Sequence, residues 1–109
     1  MAKPYAIKFY KSKAWQAKRK VILARDKYMC RNCKRYGKRR DATTVHHVTP
    51  IDINYKLRLH SGNLISLCND CHEKMHNRMT GELTKIGKMW KERCDREMNI
   101  PPHQIILKN

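Results

Sequence analysis

Apolar positions recur with helical period early in the chain: Ala14, Ala17, Val21 and Ala24 stand at i, i+3, i+7 and i+10, with Trp15 and Ile22 seven apart beside them. Behind Ser12 as N-cap, this spacing predicts an amphipathic helix from Ser12 to about Lys27. Lys13, Lys18, Arg19, Lys20 and Arg25 occupy its other face, and the Trp15 side is expected to pack inward. The period then changes. Thr43 to Val48 is β-rich, Pro50 interrupts it, and Leu64-Ile65-Ser66-Leu67 forms a second strand, so the two read as a hairpin. With Asn69 as N-cap, the segment from Asp70 to about Met79 lacks Gly and Pro and predicts a helix that ends at Thr80-Gly81. Leu83, Ile86, Trp90 and Cys94 keep helical spacing to about Met98, and Pro101-Pro102 stops the pattern. The tail His103 to Asn109, with Ile105-Ile106-Leu107, fits a docked strand or a partner-binding end.

A chain of 109 residues accommodates one domain. We divide it into a basic helical segment (1–29), a central unit with both strands (30–79), and a C-terminal helix and tail (80–109). Only 40% of residues are hydrophobic against 31% charged, so the apolar core is thin and something else must hold the fold. The longest apolar run, Val21 to Ala24, is far short of the ~20 residues that cross a bilayer, and Met1 to Tyr10 lacks an apolar signal-peptide region. A soluble cytoplasmic protein is expected, not a membrane or secreted one. Charge sharpens this picture. Residues 1–40 carry fifteen Lys or Arg and one acid, which is +14 of the formal +16. A field of that sign and density favours a phosphate backbone as partner.

Four of the five cysteines form two Cys-x-x-Cys pairs, Cys30 with Cys33 and Cys68 with Cys71. Two such knuckles complete a tetrahedral four-cysteine zinc site, which would supply the missing stability. Two disulfides or a redox pair are the alternatives, but no signal segment points to an oxidising compartment and a redox pair would not come twice. Cys94, on the apolar side of the last helix, reads as a small core residue. The 34 residues between Cys33 and Cys68 exceed the spacer of an ordinary zinc ribbon, and they hold paired histidines. His46 and His47 are neighbours on a strand, so they point to opposite sides and can take two roles. His72 and His76, at i and i+4 on the predicted helix, would share one face within reach of a common ion. His60 and His103 fit no such pattern and read as loop residues, and Glu73 reads as a first-turn helix acid.

The strings Val45-His46-His47-Val48-Thr49-Pro50 and Gly62-Asn63-Leu64-Ile65-Ser66-Leu67-Cys68-Asn69-Asp70-Cys71-His72-Glu73-Lys74-Met75-His76 resemble the His-Asn-His (HNH) endonuclease motif in its zinc-knuckle form. The start Phe9-Tyr10-Lys11-Ser12-Lys13-Ala14-Trp15 is similar to that of small phage members. The resemblance implies an α+β fold of ββα-metal, treble-clef-like type with flanking helices. It implies that His47 is the general base, that His46 and His72 are ligands of a catalytic Mg²⁺, Mn²⁺, Ni²⁺ or Zn²⁺, and that Asn63 holds His47 across the loop. In some relatives the equivalent Asn binds the ion instead. His76 is a third ligand, a helix cap or a phosphate contact.

The function implied is metal-dependent cleavage of double-stranded DNA, leaving 5′-phosphate and 3′-hydroxyl ends. One site per chain argues for a monomer that nicks, with dimerisation as the route to double-strand cutting. Lys18 and Arg19 on the first helix, and Arg31, Lys34, Arg35, Lys38, Arg39 and Arg40 beyond it, would grip flanking phosphates. A phage origin and work beside a terminase in packaging fit the same reading. The competing class is a non-catalytic zinc-knuckle module that only binds nucleic acid, and the role of His47 separates the two.

Overall fold

The computed structural model describes residues 4–100, so the tail from His103 to Asn109 lies outside the described residues. In chain order the elements are α1 (Pro4–Tyr10), α2 (Lys13–Arg25), α3 (Arg31–Arg35), β1 (Thr44–His47), β2 (Leu64–Leu67), α4 (Asn69–Glu73) and α5 (Lys85–Glu97), with two short 3₁₀ turns between the strands. This is the small α+β fold expected from the sequence. The basic N-terminal segment is two helices, not one. Ser12 separates them, donating its hydroxyl to Phe9 O at 2.6 Å while its Oγ accepts the Trp15 N–H at 3.1 Å, which makes it the N-cap of α2.

Strands β1 and β2 pair antiparallel, with Thr44 opposite Leu67, Val45 opposite Ser66, His46 opposite Ile65 and His47 opposite Leu64. Directly opposed residues share a face, so His46, Ile65 and Leu67 look one way and Val45, His47, Ser66 and Leu64 the other. Both faces are covered. Ile65, Leu67 and Val48 pack with Met75, Trp90 and the cysteines, while Val45 and Leu64 pack with Phe9, Trp15, Ile22 and Leu23. A hairpin buried on both sides explains why all four residues of β2 are apolar or small, without alternation.

Two helical expectations need correction. In α2 the residues that go inside are Trp15, Ile22 and Leu23, whereas the Ala14, Ala17, Val21 and Ala24 stripe faces solvent. Burying the large side chains gains about 1.5–3 kcal/mol each, against less than 1 for an alanine methyl, so size sets the rotation of the helix. The predicted helix from Asp70 to Met79 ends at Glu73, and its N-cap is Cys68. Beyond it Met75 is fully buried, His76 forms a bridge with Leu83, and Asn77 Oδ1 accepts the N–H groups of Met79 and Thr80 to close a turn that Gly81 completes at φ +76°. Tertiary pairing therefore wins over local helical propensity.

Helix α5 lies so close to this turn that a Cβ on Gly87 would overlap Met75 O and stand 3.1 Å from Leu83 Cδ2. Backbone cannot yield as a flexible side chain can. We expect Gly87→Ala to destabilise the protein by about 1–3 kcal/mol, although alanine favours a helix by about 1 kcal/mol. Urea unfolding checks this, and a variant as stable as the parent would contradict the close approach.

Candidate functional site

The four knuckle cysteines converge from α3 and α4. Among the described residues they are the set whose ligand atoms all lie within 4.8 Å of one another, and all four are buried. Cys33 Sγ lies 3.9 Å from Cys68 Sγ and 3.6 Å from Cys71 Sγ. A tetrahedron with metal–sulfur bonds of about 2.3 Å has edges of about 3.8 Å, so the spacing fits a four-thiolate metal site. Burial, with neighbouring sulfurs adding to it, pushes the Cys33 thiol up to about 12. Burial also acts upward on Cys68, but hydrogen bonds from the Cys71 backbone and the neighbouring thiols outweigh it and bring Cys68 to about 7. A cation held among the sulfurs would favour their thiolate forms. Two neighbours are aimed at these sulfurs. Asn32 Nδ2 donates to Cys71 Sγ at 3.4 Å while its Oδ1 accepts from Trp90 Nε1 at 2.9 Å. Arg40 donates to Cys68 Sγ at 3.9 Å and pairs with Asp70 at 2.8 Å. Cys94 is buried in the same core and is not one of the four, as expected.

The second cluster is histidine. His46 leaves β1 toward α4, and its ring centroid is 5.3 Å from that of His72 and 5.5 Å from that of His76. His72 and His76 do not share a helix face, yet the bridge with Leu83 turns His76 toward the same point. Burial, reinforced by the neighbouring histidines, lowers His46 to about 3, so it is a neutral imidazole at neutral pH. Its Nε2 is buried without a hydrogen-bond partner. Such an orphan costs about 1–3 kcal/mol unless something bonds it. His46, His72 and His76 line one open cleft, and three neighbouring imidazoles there are a donor set of a kind suited to a divalent ion.

His47 leaves β1 on the opposite face, as the strand period predicts, and still lines the same cleft of about 350 Å³ with His46, His72, His76 and Arg19. Its Nε2 donates to Arg58 O at 2.9 Å, which leaves the lone pair on Nδ1. Burial lowers its pKa, with the Arg58 carbonyl acting against that shift. Asn63 does not line the cleft. It is fully buried behind the loop, where Oδ1 accepts from Thr49 N at 2.9 Å and Nδ2 donates to Thr49 O at 3.1 Å and Leu57 O at 3.3 Å. The clamp thus holds the loop that presents the Arg58 carbonyl to His47.

The basic residues fall in three places. Arg19 stands in the cleft and bonds Thr43 O at 2.7 Å, with half-buried Lys18 beside it in sequence. Arg31, Lys34 and Arg35 line a separate concavity with Lys27 and Arg93, where Arg31 and Arg93 lie over Trp90 at 5.2 and 5.0 Å. Lys38, Arg39 and Arg40 sit beside the thiol site with Tyr36 and Lys74. Arg25, read as part of the basic face of the first helix, instead ties α2 to the hairpin through Ser61 O and Leu64 O at 2.9 and 2.7 Å. Sequence reasoning overlooked the company of His47. Trp15 stacks on its ring at 4.8 Å and 28°, and Phe9 and Tyr10 meet it edge-on. The aromatic trio before a basic helix was visible, but only folding brings it to the histidine.

With this geometry in hand, comparison with known proteins adds three findings. The sequence model of the family described as HNH endonuclease matches residues 30–78. No curated protein sequence matches the chain. Among solved structures, the crystal structure of the HNH endonuclease of the deep-sea thermophilic bacteriophage GVE2, with manganese ion, is similar at a TM-score of 0.62 and 39% identity. The likeness covers 63% of this chain and 75% of that one.

Proposed function

Because the chain belongs to the HNH endonuclease family, a family of metal-dependent nucleases, we propose that it is a divalent-ion-dependent DNA endonuclease that nicks one strand per event. The observation that carries this reading is the common cleft. Adjacent residues of one strand deliver His46, with its orphaned Nε2, and His47, with the lone pair of its Nδ1, to a single opening. His46, His72 and His76 would hold the ion, which when bound supplies positive charge at the scissile phosphate and the departing oxygen. His47 Nδ1 would take a proton from water as that water attacks phosphorus. The Arg58 carbonyl accepts the opposite N–H and so keeps the tautomer that has Nδ1 unprotonated. Asn63 would act as a positioning residue through the loop. Arg19 would meet a phosphate oxygen near the cut, and the other basic clusters would hold flanking backbone.

We further assign zinc to the four thiols, as the ion that soft thiolates in a closed tetrahedral site select. One histidine-lined cleft among the described residues supports nicking by a monomer, with 5′-phosphate and 3′-hydroxyl ends by family resemblance. A bacteriophage relative that carries manganese supports a phage origin and Mn²⁺ as a competent ion.

Incubation of purified protein with supercoiled plasmid and Mg²⁺, Mn²⁺, Ni²⁺ or Zn²⁺ tests the proposal. Open circles should form with at least one ion, and chelation during the reaction should stop their formation. A protein that shifts DNA in a gel but cuts with none of the four is a binding module, and the nuclease reading then fails.

A further inference from the structure

The residues that enclose His47 come from outside the span that the family model matches. That span begins at residue 30, whereas Phe9, Tyr10 and Trp15 belong to α1 and α2. They form one packed unit, with ring centroids 5.3 Å apart for Phe9 and Trp15, 5.4 Å for Phe9 and Tyr10, and 5.6 Å for Tyr10 and Trp15. A core cluster needs no polar tip at the cleft, yet this one has a hydroxyl there. Tyr10 Oη lies 3.5 Å from His47 Nδ1, the nitrogen that carries the lone pair, and both residues line the cleft. At 3.5 Å the pair is too long for a strong direct hydrogen bond. A water on the cleft side of the pair, rather than between the two atoms, can bond both groups at once.

We propose that Tyr10 is a catalytic residue that orients the attacking water and that Trp15 is a positioning residue that fixes the plane of the His47 ring. The inference rests on the reading of His47 as general base. In this arrangement the water donates one O–H to His47 Nδ1 and the other to Tyr10 Oη. Both protons are thereby held, and a lone pair of the oxygen remains to attack phosphorus. The O–P bond forms, the proton passes to Nδ1, and the leaving oxygen departs with the electron pair of the broken P–O bond. Tyr10 gains and loses no proton in this account; it selects an orientation. The Arg58 carbonyl already fixes which nitrogen faces the cleft, so the stack on Trp15 at 28° serves a different purpose, which is to remove tilt of the imidazole about its Cβ–Cγ bond.

Cleavage of supercoiled plasmid with Mn²⁺, resolved into kcat and KM, tests both assignments in the intact chain. Tyr10 is 40% exposed and its ring is kept in Tyr10→Phe, so this variant should fold as the parent does. Its kcat should fall about tenfold or more with KM within twofold, the pattern of an interaction made in the reacting complex. Trp15→Phe keeps a flat face and should retain more kcat than Trp15→Leu, with thermal melting showing that both remain folded. A Tyr10→Phe kcat within twofold of the parent overturns the water assignment. Equal kcat losses in Trp15→Phe and Trp15→Leu, at equal folded fraction, overturn the positioning role. These results differ from a failure of the nuclease reading, in which the parent itself cuts nothing or His47→Ala cuts as well as the parent.

Discussion

Replacement of His47 by alanine should abolish plasmid cleavage and leave DNA binding intact. The base is expected to contribute about 10²–10⁴-fold to the rate, and a methyl group has no lone pair to replace it. Position explains why binding should survive. His47 is buried between Trp15, Phe9 and Tyr10, with one nitrogen engaged by Arg58 O, so it offers DNA little surface. Apart from Arg19, the cations that would hold phosphates lie elsewhere, in the two concavities of Arg31, Lys34 and Arg35 and of Lys38 and Arg39. Truncation opens a void beside Trp15 and unpairs the Arg58 carbonyl, which should lower stability by about 1–3 kcal/mol. Plasmid relaxation is therefore measured beside a gel-shift titration and a thermal melt of the same preparation. A folded variant that cuts at the parental rate would remove His47 from the chemistry. One that has lost binding as well would make it a structural residue of the interface.

The site was more legible in the sequence than the fold around it, and the reason is distance along the chain. A Cys-x-x-Cys pair is closed by local covalent reach, and the period of a strand sends His46 and His47 to opposite faces whatever surrounds them. Such inferences survive folding because little beyond the segment is needed. The failures all depend on partners remote in sequence. His76 reaches the neighbourhood of His46 through a bridge to Leu83 and a turn at Asn77, not by helical spacing, so the right neighbours were expected for the wrong reason. Arg25 and Arg40 have the same charge as their neighbours, but acceptors at Ser61, Leu64, Asp70 and Cys68 engage them. The Ala14, Ala17, Val21 and Ala24 stripe has the better period, yet the heavier Trp15, Ile22 and Leu23 decide which side of α2 is buried. The aromatic enclosure of His47 joins α1, α2 and β1, and no local pattern announces it.

Removal of the ion from the four thiols should unfold the protein and not merely inactivate it. The cluster on that side of the hairpin contains Cys30, Cys33, Cys68 and Cys71 together with Val48, Ile65, Leu67, Met75, Trp90 and Cys94, so much of this core is the metal site itself. Structural zinc contributes apparent free energies of about 10–16 kcal/mol, comparable with or above the whole net stability of about 5–15 kcal/mol typical of domains. Without it the Cys33 side can no longer be held to the Cys68 side, and α4 loses the position from which His72 faces His46. Purified protein should therefore carry one zinc per chain in addition to any ion in the histidine cleft. A strong chelator should abolish the helical far-ultraviolet signal, and Mg²⁺ added back should not restore it, whereas Zn²⁺ should. Cys68→Ser should behave like the chelated protein, while Cys94→Ser should keep its zinc because that thiol is not one of the four. The two proposed metal sites separate in this experiment: the histidine site would govern cleavage on a folded scaffold, and the thiol site would govern whether the scaffold exists. A zinc-free chain that retained its secondary structure and melting temperature would refute that division and return the stability of the fold to its thin apolar core.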